Sequence, residues 1–165
     1  MKAYVDVETR KVPVPPGLVS RGRPVTKRWQ VFLVGVALTD GPVEFLDGGG
    51  DEAALMADLA EWCTLRGVTE LVYAAGLRSF DEKVLRGVFV NARREFLTEP
   101  GPWPRLELAD EVEWRNLGAL PDLNPDGLGK AAPEIWAYDP DAVRSHCGWD
   151  VEELRRYDLS PRSSL

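Results

Sequence analysis

Gln30 to Leu38 (Gln-Val-Phe-Leu-Val-Gly-Val-Ala-Leu) is an almost unbroken apolar run, and it limits what this chain can fold into. Its length and its Val and Leu content read as a strand, and the lack of alternation means that both faces are buried. Such a strand needs cover on both sides of its sheet. Pro42 to Leu46 is its expected hairpin partner. The 165 residues read as one domain, able to bury roughly two-thirds of its unfolded surface. With 44% hydrophobic and 28% charged residues, wholesale disorder is not expected.

The second constraint is Tyr4-Val5-Asp6-Val7-Glu8-Thr9, a short alternating strand. Side chains two apart on a strand share a face, so Asp6 and Glu8 project together while Ala3, Val5 and Val7 face the other way. Paired carboxylates at a strand end repel unless a cation lies between them, and open α/β sheets place ligands at those ends. A site for Mg²⁺ or Mn²⁺, which prefer carboxylate oxygen, is one expectation. A strand end with two solvated acids is the alternative.

Arg10 to Arg28 carries six of the 20 basic residues and no acid, among several Pro and Gly. It reads as an irregular or hairpin-like connection, either touching phosphates or simply solvated. Asp51 is expected to cap a helix running to about Arg66 that Gly67 ends. Glu70 to Ala74 reads as a buried strand. Ser79 and Glu82 form a capping box that opens a helix to about Phe96, with Asp81 in its first turn. Leu106 to Ala109 reads as a fifth strand and Asn116 to Leu120 as a brief helix. Trp114 and Trp136 are expected to pack this excursion onto the body. The last helix, Asp139 to Tyr157, carries the stripe Val143, Cys147, Val151 and Leu154. His146 and Asp150, four apart, stack beside or within it.

A net charge of −7 argues against a protein that coats nucleic acid through many phosphate contacts, though not against an enzyme that grips a strand end through bound cations. Cys63 and Cys147 are too few for a disulfide framework or a zinc cluster. No apolar run approaches membrane-spanning length and no signal-peptide core is evident, so a cytoplasmic location is expected.

Taken in order, Val5-Asp6-Val7-Glu8-Thr9, Val72-Tyr73-Ala74 leading to Phe80-Asp81, and His146-Cys147-Gly148-Trp149-Asp150 resemble the three motifs of the DEDD-type 3′–5′ exonucleases of the RNase H-like superfamily. The similarity departs at two points. Ala74, Ala75 and Gly76 stand where the family often has Asn, and the third motif combines His with the three-residue spacing of the Tyr branch. The resemblance implies an α/β, RNase H-like fold, with a mixed five-stranded sheet and helices on both faces. In that sheet Ala3–Val7, Gln30–Leu38 and Pro42–Leu46 join parallel strands at Leu71 and Leu106. It also implies two Mg²⁺ or Mn²⁺ ions held by Asp6, Glu8, Asp81 and Asp150, with His146 as general base. The implied substrate is the 3′ end of single-stranded DNA or RNA, released as nucleoside 5′-monophosphates, with a polymerase or other protein as a possible partner and no membrane. Two rivals stay open. One is a non-catalytic module binding nucleic-acid ends or a protein, and the other is a structure-selective endonuclease on the same fold.

Overall fold

The computed structural model describes residues 1–75, 79–88 and 100–161. Its strands and helices, in chain order, are β1 (Lys2–Pro13), β2 (Val19–Ser20), β3 (Arg23–Pro24), β4 (Lys27–Leu38), β5 (Glu44–Leu46), α1 (Glu52–Leu65), β6 (Glu70–Tyr73), α2 (Phe80–Leu85), β7 (Glu113–Asn116), α3 (Ala132–Trp136) and α4 (Pro140–Leu159). The fold is α/β, built on a five-stranded mixed sheet in the order β5-β4-β1-β6-β7. β4 is antiparallel to both β1 and β5, whereas β1, β6 and β7 run parallel. A separate two-stranded ribbon, β2–β3, forms the tip between β1 and β4. No helix among the described residues is long and apolar enough to cross a membrane.

The unbroken apolar run becomes β4, buried from Val31 to Ala37. Its two faces meet different partners. Val34 and Val36 join Ala3, Val5 and Val7 against Leu55, Met56 and Leu59 of α1. Ala37 joins Tyr4 against Val151 and Leu154 of α4, while Leu33 meets Val143 and Cys147 of the same helix. Covering each such side chain contributes roughly 1.5–3 kcal/mol relative to leaving it in water. Helices therefore cover both sides of the sheet, as the run required.

Asp51 caps α1 by accepting from the Ala53 N–H at 2.9 Å. Asp139 caps α4 through Ala142 N–H at 3.2 Å, with Pro140 in the first turn. The far end of α4 is tied back by Asp158, a nearly buried carboxylate that accepts from Tyr4 Oη at 2.8 Å and Lys2 Nζ at 3.0 Å and pairs with Arg115. Trp136 packs on Phe32 with ring centroids 5.5 Å apart, and Trp114 meets Tyr73 edge-on at 6.3 Å.

Several expectations need correction. The irregular reading of Arg10–Arg28 gives way to the hairpin-like one, since Arg10 to Pro13 pair with Gln30 to Lys27. The fifth strand is Glu113–Asn116, not Leu106–Ala109. Leu106 is buried as its alternation implies, but its N–H bonds to Leu85 O at 2.7 Å, so the segment packs on the core without joining the sheet. The helix read at Asn116–Leu120 is absent, because Asn116 is the last residue of β7. The capping box is also absent. Ser79 has a left-handed backbone (φ 53°) and makes no side-chain cap, its hydroxyl being engaged by the Tyr73 side chain. α2 ends at Leu85, and the expected continuation to Phe96 lies from residue 89 onward outside the described residues.

Candidate metal centre

β1 pairs with β6 only over Lys2–Tyr4, so Asp6 and Glu8 stand beyond the carboxyl end of that parallel pair. They lie on the face covered by α4. Gly35 of β4 pairs with Asp6, and a Cβ there would sit 2.7 Å from Cys147 Sγ and 3.1 Å from Val151 Cγ2. This glycine lets α4 approach closely enough for its third-motif residues to reach the strand. Cys147 Sγ accordingly lies 3.8 Å from the Asp6 carbonyl.

The helical spacing then does what the sequence implied. His146 Nε2 is 3.3 Å from Glu8 Oε1 and 3.5 Å from Asp150 Oδ2. All three residues are buried, with His146 4%, Glu8 6% and Asp150 6% exposed. Candidate ligand atoms of Glu8, His146 and Asp150 lie within 4.8 Å of one another, as do those of Asp6, Glu8 and Cys147. Asp81 enters from the first turn of α2, is itself buried, and accepts a hydrogen bond from the Val7 backbone. Asp6, Glu8, His146 and Asp150 thus converge, and Asp81 is close enough for its charge to act on Asp6 and Glu8.

The electrostatics are those of crowded, dry carboxylates. Burial, then the charge of Glu8, Asp81 and Asp150, holds Asp6 well above its ordinary range. Burial, with Asp150 and Asp81 nearby, pushes Glu8 up to about 8. Burial and Asp150 push Asp81 up to about 8, against the Val7 N–H. Asp150 is also raised by burial, opposed by the Asn124 N–H at 2.9 Å and by His146. Among the described residues no Lys or Arg pairs with these acids, and Asp6 Oδ2 is buried with no hydrogen-bond partner. Like charges left this way cost free energy that a cation removes. The donors are mostly carboxylate oxygen, the set that hard divalent ions take. The residues fit a divalent metal.

Asp126 was not singled out by its sequence. Its Oδ1 lies 2.8 Å from His146 Nδ1 and also accepts from Leu128 N–H at 3.1 Å. Slight burial raises its pKa, but Leu128 and His146 outweigh that and hold it low, so it stays an anion. The bond assigns the Nδ1–H tautomer to a neutral His146 and leaves the Nε2 lone pair facing Glu8 and Asp150. Nothing in the Pro125-Asp126-Gly127 spacing points to His146. No protein-family model matches this chain, and neither a curated protein nor a solved structure matches it.

Proposed function

We propose that this chain is a metal-dependent 3′–5′ exonuclease with an RNase H-like fold, hydrolysing single-stranded nucleic acid to nucleoside 5′-monophosphates. One observation carries the proposal: Glu8, His146 and Asp150 bring ligand atoms together, Asp6 does so with Glu8, and the buried Asp81 acts on both strand acids by its charge, with no Lys or Arg paired to them among the described residues. The sheet order, with β1 central and the antiparallel β4–β5 pair on one side, is compatible with that fold.

Asp6, Glu8, Asp81 and Asp150 would hold the Mg²⁺ or Mn²⁺ ions. Bound there, such ions stabilise charge on the attacking and leaving oxygens of a phosphodiester displacement. The remaining chemistry belongs to the chain. His146 Nε2, free to accept, takes the proton of the attacking water. Asp126 fixes the tautomer through Nδ1 and stabilises the imidazolium that forms, as a positioning residue. The buried faces of β1 and α4 keep bulk water from screening these charges.

Linear and covalently closed single strands of one sequence, incubated with Mn²⁺, test this function. Loss of the linear strand alone is the expected result. Cleavage of the circle would make the chain an endonuclease, and survival of both would make it a non-catalytic binding module.

A further inference from the structure

The chain is acidic overall, yet the arm that continues β1 past Glu8 is basic. Arg10, Lys11, Arg21, Arg23 and Lys27 project from the β1–β4 ribbon and its tip, Arg10 half-buried and the others exposed. Beyond Tyr4 the edge of β1 that pairs with β6 has no further ladder partner among the described residues. Thr9, Arg10 and Lys11 on this arm line a cavity of about 720 Å³, within the range that encloses a small-molecule-sized group. Trp29 and Pro133 supply apolar surface, and Lys130 a second exposed cation.

The cavity adjoins the metal centre. Thr9 follows Glu8 directly, and Trp29 meets Phe80, the neighbour of Asp81, edge-on at 5.9 Å. Lys11, three residues beyond Glu8, lies about 10 Å further along the strand. Lys11 Nζ sits over the Trp29 ring, 5.3 Å from its centroid, so cation and aromatic face form one unit. Among the described residues neither Lys11 nor Lys130 is paired with a carboxylate. Unpaired cations flanking an aromatic surface are what single-stranded nucleic acid requires, phosphates on the rim and bases against the ring. One acid, the exposed Glu134, faces the same cavity and opposes this.

We infer that this groove between the β1–β4 arm and α3 holds the single strand upstream of its 3′ end. Lys11 and Lys130 neutralise phosphates there, and Trp29 with Pro133 supports bases. The occupant is taken from the nuclease activity proposed above, so the groove is read by binding without cleavage, and shortening is followed separately in Mn²⁺. Anisotropy of 5′-labelled oligothymidylate and oligouridylate would be followed in EDTA and in Ca²⁺, across a salt series.

Lys11→Glu/Lys130→Glu should weaken binding tenfold or more. It should also flatten the slope of log K against log salt by about 1.4, at roughly 0.7 for each phosphate that is no longer neutralised. Lys11→Gln/Lys130→Gln, milder for folding, should move both quantities the same way by less. Glu134→Gln should tighten binding. Equal affinity and slope for the intact chain and both lysine pairs, in both buffers, would overturn the groove, as would tighter binding of a duplex than of its single strand. If the chain shortens oligonucleotides while the lysine variants bind unchanged, the groove fails and the nuclease stands. If lysine-dependent binding appears with no shortening, the nuclease fails and the groove stands.

Discussion

Replacing Asp6 with Asn should make the metal-free protein more stable, an unusual outcome for a half-buried position whose Oδ2 is fully covered. Asp6 Oδ2 has no partner, and its charge faces Glu8, Asp81 and Asp150. A carboxyl raised in the folded state keeps its proton there after the unfolded chain has lost its own. Stability is then fully present below the unfolded pKa, about 4, and declines as pH rises toward the folded value, about 8 for Glu8 and Asp81. Asp158 and Asp126, whose carboxyls are held low, have the opposite sign but act below about pH 4, outside that window. Glu8 rises from 4.5 to about 8, an upper limit of about 5 kcal/mol at 1.36 kcal/mol per unit. The repulsion is shared among several acids, so neutralising one should recover about 1–2 kcal/mol, or roughly 2–8 °C in Tm for a chain of this length. Thermal melts by circular dichroism in EDTA at pH 5 and pH 8 read this directly. The intact protein should melt lower at pH 8 than at pH 5, and Asp6→Asn should melt higher than the intact protein at pH 8. Mn²⁺ at about 100 times its Kd should raise the intact protein by about 2.7 kcal/mol, roughly 5–11 °C, and leave the variant nearly unmoved. A flat or rising Tm from pH 5 to pH 8 without metal, or a less stable Asp6→Asn at pH 8, would refute the reasoning.

Asp126→Ala should lower kcat about ten- to hundredfold with KM little changed, while Tm stays nearly put because the Asp126 side chain is half exposed. Gly35→Ala should cost about 1–3 kcal/mol in urea unfolding, since its Cβ would meet Cys147 Sγ at 2.7 Å. Pairing it with Cys147→Ala should recover part of that loss, as a double-mutant cycle would show. Asp158→Ala should cost about 2–4 kcal/mol by stranding Tyr4, Lys2 and Arg115. Burial raises the Asp158 carboxyl, but these partners outweigh it, so the stability it contributes is present above about pH 4 and fades in acid melts below it.

The parts of the fold legible in the sequence were those where one residue pattern had one physical use. The run in β4 had to be buried twice, and the stripe on α4 could face only a sheet, which also brought His146 and Asp150 inward. Asp6 and Glu8 shared a face because strand geometry allows nothing else. The errors fell where two uses compete for one pattern. Leu106 and Leu108 alternate because they cover the core, and burial alone does not distinguish covering from pairing. β7 is a charged edge strand whose apolar content is Trp114, so its ladder with β6 left no alternation to read. Ser79 has the residue type of a cap, but its hydroxyl is engaged by Tyr73. Asp126 reaches His146 across 20 residues from a turn, a tertiary contact that no periodicity encodes.

The most direct test of the central claim is a time course on 5′-labelled single-stranded DNA and RNA with Mn²⁺, run beside Asp150→Ala. The account predicts a ladder shortening from the 3′ end with release of nucleoside 5′-monophosphates, absent from the variant. An intact strand after incubation with protein shown to bind Mn²⁺, or an identical ladder from Asp150→Ala, would contradict it.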